Sequence, residues 1–217
     1  HEVFRRRVFP LLDRGEKVCF FLIDNFRLDQ WKTLLPLVSD FFNISEDLYT
    51  TILPTSTQYA RNAIFAALMP LQISKMYPQY WVDEDENEGL NVHEKELIQT
   101  MLDRYRRRET FSYEKISSSE SGEKYLRRLG SIKQNPFNVL VINFIDMLSH
   151  ARTETKMIRE LANSDAAYRS ITESWFRHSS ILDIFRTIAS LGFKIVVTTD
   201  HGTCLLYTSP SPRDISG

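Results

Sequence analysis

The chain has 217 residues, 42% apolar and 25% charged, the balance of a globular chain able to bury a core without cross-links. Its 27 Lys and Arg against 28 Asp and Glu leave a net charge of -1, which excludes a sequence-wide electrostatic pull toward nucleic acid or an anionic membrane. Only seven glycines, with no G-x-x-x-x-G-K-[ST] or G-x-G-x-x-G segment, exclude a glycine-rich phosphate cradle.

Two cysteines, Cys19 and Cys204, form no disulfide framework and suit a reducing compartment. No apolar run approaches the ~20 residues of a membrane span, so the expected location is cytoplasmic, without membrane attachment.

Residues 1–9 read as a helix already under way. The run VCFFLI at residues 18–23 is continuously apolar, the pattern of a strand buried on both faces of a parallel sheet. Leu28, Trp31, Leu34, Leu35 and Val38 then recur at helical spacing. Residues 47–53 read as a short strand stopped by Pro54. Thr55, Ser56 and Thr57 supply N-cap chemistry for a helix that carries Ala63, Ile64, Ala67 and Leu68 and ends at Pro70.

The acidic run at 83–88 reads as a solvated loop. A helix is expected over 92–107, ending in the solvated basic segment Arg104 to Arg108. Residues 111–116 alternate as a strand, and 120–129 read as helical. Residues 138–145 form the second buried strand, ended by Asp146. One long helix is expected over 165–191, closed by Gly192, and 194–199 form the third buried strand, ended by Asp200. Strands alternating with helices predict an α/β sheet covered on both faces.

Three apolar strands thus each lead into an acid: Asp24, Asp146 and Asp200. In open α/β sheets, ligands bind outside the carboxyl ends of the strands. Carboxylates gathered there repel one another unless a cation sits among them. His150, four residues after Asp146, and His201, beside Asp200, complete a donor set suited to Zn²⁺ or Mn²⁺ and too rich for one four-coordinate ion. The economical inference is a two-metal site for an in-line displacement. A hydroxyl from Thr55 to Thr57 would meet the positive end of a helix dipole, where metal coordination activates it as a nucleophile. His93 and His178 fall inside helical stretches and read as surface or packed residues.

Asp24, the segment from Pro54 to Asn62 running on to Pro70, the Asp146-x-x-x-His150 spacing and the sequence Thr199 to Gly202 together resemble the alkaline phosphatase superfamily, most closely its PglZ branch. Residues 22–30 resemble the opening of the PglZ domain in PorX-type response regulators, linked to type IX secretion. The resemblance spans residues 1–203. It implies a three-layer α/β/α core with a mostly parallel sheet, truncated at its C-terminus. It implies a phosphodiesterase, the output domain of a two-component regulator, in which a metal-bound Thr attacks phosphorus; this truncated stretch, without the later metal-ligating His, is expected to turn over slowly or not at all. In phosphodiesterase relatives the nucleophilic Thr stands as far from the helix-ending Pro as Thr57 does from Pro70, so the resemblance implies Thr57 as that nucleophile.

On the same resemblance, Asp24, Thr57, Asp200 and His201 hold one divalent ion. Asp146 and His150 hold a second with a later His, and Arg61 or Asn62 contacts a phosphate oxygen. The ions are Zn²⁺, with Mn²⁺ as the alternative. The resemblance implies a phosphodiester substrate, an oligonucleotide or a cyclic nucleotide, and a homodimer in the full-length protein. The competing reading is a catalytically silent interaction module with a structural metal. From Cys204 the sequence CLLYTSPSPRD resembles one translation frame of a transposase adapter, so native sequence is expected to stop near Thr203, with 204–217 a non-native tail.

Overall fold

The computed structural model describes residues 1–81 and 92–203, so the expectations for the acidic run and for residues 204–217 lie outside the described residues. Among the described residues four strands, Val18–Ile23 (β1), Phe111–Ile116 (β2), Phe137–Ile142 (β3) and Lys194–Thr198 (β4), make one sheet in the order β2-β3-β1-β4. Every pair is parallel, with Phe20 opposite Val139 on one side and Val196 on the other. The inner strands β1 and β3 are buried at all six positions, which is why β1 reads as an unbroken apolar run and β3 as one interrupted only by Asn138.

The pleat sends alternate residues into two cores. On one face Cys19, Phe21, Ile23, Leu140 and Ile142 meet Leu34 and Val38 of α2 (Leu28–Ser39), Tyr125 of α6 (Ser119–Arg128), Ile145 of α7 (Phe144–Glu154), Phe176 of α9 (Asp165–His178) and Phe185 of α10 (Ser180–Ser190). On the other, Val18, Phe20, Leu22, Val139 and Val141 meet Phe4, Phe9 of α1 (Phe9–Asp13), Phe65 of α3 (Thr57–Ala66), Ile73 of α4 (Pro70–Met76) and Met101 of α5 (Glu94–Arg104). A short helix, α8 (Lys156–Leu161), packs beside α7. The result is the expected three-layer α/β/α arrangement on a parallel sheet.

Four local expectations change. Residues 47–53 form no strand: Leu48 and Leu53 are 76% and 85% exposed. β-propensity describes fit to a half-buried pleated surface, and this segment has none to fit. Its hydroxyls instead tie it to the end of β4, Tyr49 donating to the Thr199 carbonyl and Thr51 to that of Asp200 at 2.6 Å.

The second buried strand stops at Ile142 rather than at residue 145. Asn143 turns the chain, and Phe144 and Ile145 open α7, Phe144 stacking on Trp175 at 4.3 Å and Ile145 entering the core. A short apolar run does not by itself separate strand from buried helix. Asp146 therefore lies in the first turn of a helix, not at a strand end.

The expected 165–191 helix is two helices, because Ser179 adopts extended backbone and its hydroxyl caps α10 by accepting from the Ile181 amide at 3.3 Å. β4 is partly exposed, not fully buried, and is an edge of the sheet among the described residues. Gly192 does end α10, at φ +75°, the left-handed turn that favours glycine.

Ser164 caps α9 in the same way, accepting from the Ala167 amide at 3.2 Å. Ser164→Ala is expected to cost about 1 kcal/mol in urea denaturation, the usual worth of such a cap. A change below about 0.3 kcal/mol would show that the Ser164 bond contributes nothing to α9.

Candidate metal centre

Parallel pairing brings the carboxyl ends of β1 and β4 side by side, and the chain places an acid just beyond each. Asp24 follows β1 directly, its amide donating to the Ile142 carbonyl at 2.9 Å. Asp200 lies two residues past β4. The two carboxylates are 1% and 0% exposed. Asp200 Oδ1 accepts from the backbone amides of Asn25 at 3.2 Å and His201 at 3.0 Å. The Thr199 hydroxyl accepts from the Phe26 amide at 3.0 Å and donates to the His201 carbonyl at 2.6 Å, so the two strand ends are stitched together.

Thr57 is the first residue of α3, and extended Ser56 precedes it as the N-cap, without a side-chain capping bond. The Thr57 hydroxyl is not spent on capping. It points to the strand ends, donating to Asp24 Oδ1 at 3.4 Å and lying 2.9 Å from His201 Nε2. His201 Nε2 is 3.7 Å from Asp24 Oδ1. Ligand atoms of Asp24, Asp200 and His201 all lie within 4.8 Å of one another, a grouping able to hold a metal ion.

Asp146 and His150 stand one helical turn apart on α7, Oδ2 to Nε2 at 3.4 Å, with the His150 side chain 70% exposed. They are separate from the first cluster but joined to it through Asn25. Its side-chain amide donates to Asp146 Oδ1 at 3.2 Å while its backbone amide serves Asp200. Asn25 has φ +57°, a left-handed conformation that Asn tolerates better than most residues.

Arg61 occupies a position the sequence did not suggest. Its guanidinium is held among carboxylates: Nη2 pairs with Asp24 Oδ2, Nε with Asp200 Oδ2 at 3.2 Å, and Nη1 faces Glu94 Oε1 at 3.1 Å, all inside the protein with 2% of the side chain exposed. Asn62, expected as the other phosphate contact, is likewise enclosed, at 2% exposure.

Three buried carboxylates around one guanidinium leave an excess of negative charge. The Asp24 carboxyl is accordingly pushed up from 3.8 to about 6, first by burial and then by the charge of Asp200, with Arg61 opposing both. Two buried carboxylates short of positive charge, an imidazole and a hydroxyl form a donor set that fits a divalent cation of the Zn²⁺ or Mn²⁺ kind.

Sequence reasoning missed Glu94, Asn25, Tyr49 and Thr51. Asn25 had a signal, an αL-tolerant residue directly after a strand-end acid. Glu94 had none, since a Glu in the first turn of a helix is ordinarily a solvated partner of the helix dipole.

A parallel sheet between two helical layers, with acids and a histidine after its strands and a hydroxyl at a helix N-terminus, defines an alkaline-phosphatase-like α/β domain. The family of BREX system PglZ alkaline phosphatase-like domains matches residues 3–214, and the chain belongs to that family. No curated protein matches the chain. Among the described residues no helix is long and apolar enough to cross a membrane.

Proposed function

We propose that the protein is a metal-dependent phosphodiesterase with Thr57 as nucleophile. The carrying observation is the Thr57 hydroxyl set between Asp24 and His201 at the N-terminus of α3. Asp24, Thr57, Asp200 and His201 would hold one divalent ion, and Asp146 with His150 would contribute to a second, Zn²⁺ in preference to Mn²⁺. Such an ion, when bound, supplies Lewis acidity that eases loss of the hydroxyl proton and offsets phosphoryl charge.

The remaining work falls to the chain itself. The first amides of a helix have no intrahelical acceptor and, with the dipole, favour an anionic phosphoryl oxygen beside Thr57. The Thr57 oxygen bonds to phosphorus as the bond to the leaving alcohol breaks. The proton that Thr57 gives up leaves on the departing alcohol, and water then cleaves the bond from phosphorus to Thr57, its OH staying on phosphorus and its proton restoring the hydroxyl. Asp24 accepts the hydroxyl hydrogen bond and fixes the direction of the oxygen.

The substrate is a phosphodiester of an oligonucleotide or a cyclic nucleotide. In its parent protein the domain is the homodimerising output of a cytoplasmic PorX-type response regulator, a reading supported by the resemblance over residues 22–30. The test is metal counting on the protein together with hydrolysis of bis-p-nitrophenyl phosphate. Turnover that requires Zn²⁺ or Mn²⁺ and stops with EDTA is expected. Bound metal with no hydrolysis of any phosphate ester would leave an interaction module in which the metal is structural.

A further inference from the structure

Among the described residues Arg61 touches the three buried acids near the centre, Asp24, Glu94 and Asp200, and its guanidinium is enclosed by them. It grips Oδ2 of both Asp24 and Asp200. The other oxygen of each, Oδ1, faces Thr57 and His201 in one case and the Asn25 and His201 amides in the other. Arg61 thus lies behind the ligand face and sets the roll of both carboxylates about their Cβ–Cγ bonds.

What holds Arg61 back is Glu94, 1% exposed in the first turn of α5. Its Oε2 accepts from the Tyr113 hydroxyl on β2 and lies 3.7 Å from Lys115 Nζ. Its Oε1 sits 3.1 Å from Arg61 Nη1, but among the described residues neither atom has an aligned hydrogen bond. The attraction there is charge on charge, in surroundings where such attraction is poorly screened.

We propose that Glu94 and Arg61 are a positioning pair for the metal centre: Glu94 draws the guanidinium toward α5 and β2, so that Arg61 orients Asp24 and Asp200 without cancelling their charge. Three carboxylates against Arg61, with Lys115 at the outer edge of Glu94, still leave an excess of negative charge, which favours a cation beside Asp24 and Asp200. Without the Glu94 charge, the guanidinium is shared by two acids instead of three and competes directly with the cation. The inference rests on the metal-centre reading above.

The test compares divalent-cation affinity in the native protein, Glu94→Gln, Glu94→Asp and Tyr113→Phe. Affinity is read by Zn²⁺ competition with a chromophoric chelator, at a temperature where circular dichroism shows each protein folded. Glu94→Gln keeps shape and removes charge, and its affinity is expected to fall about tenfold. Glu94→Asp keeps charge and loses reach, and is expected to fall less. A merely structural Glu94 gives the reverse ranking, or a lower melting temperature with unchanged affinity.

Glu94→Gln within twofold of native affinity overturns the pair. Where Glu94→Gln does not fold, Tyr113→Phe decides. It removes only the hydroxyl that anchors Oε2, a loss of about threefold is expected, and unchanged affinity overturns the pair. A native protein that binds no divalent cation removes the metal centre itself, whereas native binding with an indifferent Glu94→Gln removes only the positioning role.

Discussion

Thr57→Ala is expected to lower phosphodiester hydrolysis by at least about a thousandfold, roughly 4 kcal/mol of transition-state stabilisation, while the protein remains folded. The separation follows from where the hydroxyl is used. Thr57 begins α3 but does not cap it, and among the described residues its Oγ1 bonds toward Asp24 and His201. Alanine is the strongest helix former, so the backbone of α3 gains slightly from the change. Cation affinity should fall only modestly, because the two acids and the imidazole keep their places. Thr57→Ser keeps the oxygen and should retain much of the rate. Circular dichroism, chelator competition and bis-p-nitrophenyl phosphate turnover on the same preparations separate the three effects. Hydrolysis by Thr57→Ala at the native rate would remove the nucleophile and, with it, the proposed mechanism.

The parts of this centre that could be read in the sequence are those whose environment is set locally. VCFFLI at 18–23 announces a strand buried on both faces, and the acid after such a strand must emerge at the carboxyl edge; Asp24 does so, and Asp200 follows β4 to the same edge. His201 comes with Asp200, and Thr57 with the start of α3.

Asp146 was placed at the same edge for a weaker reason, an apolar run whose last two residues belong to α7 and pack by ring stacking and burial. Its association with the centre runs instead through Asn25, a contact between residues 121 apart that no periodicity carries. Arg61 shows the limit most clearly. Its spacing from Thr57 fits an arginine turned to solvent or turned inward, and the choice is made by Glu94 and Asp200, both remote in sequence. The break at Ser179 escaped for a different reason. The apolar face continues across it, and a serine inside a helical pattern is a cap only when the backbone extends.

Asp24→Asn is expected to make the cation-free protein more stable and to abolish its response to divalent ions. Burial and the neighbouring Asp200 raise the Asp24 carboxyl to about 6 in the folded protein, against 3.8 for the ordinary group. The folded state therefore binds the Asp24 proton more tightly than the unfolded state does. The favourable contribution is complete below about pH 4, fades as pH rises, and is lost above about pH 6. At pH 8 the charged form costs on the order of 3 kcal/mol. Asp29 does not confuse the window: Arg27 holds it down to about 2, so its loss of stability begins only on further acidification.

Asparagine carries no charge to desolvate, and its oxygen can still accept from Arg61. The variant should therefore gain up to about 3 kcal/mol at pH 8 in EDTA and show a flatter pH dependence between 5 and 8. The native protein should recover the deficit when Zn²⁺ is added, about 2.7 kcal/mol at a hundred times the dissociation constant, and the variant should not. Urea denaturation at pH 5 and 8, with EDTA or Zn²⁺, measures all four cases. A variant no more stable than native at pH 8 in EDTA would mean that Arg61 already neutralises the pair. The stored repulsion between Asp24 and Asp200 would then be absent, and with it the physical reason for a cation to bind there.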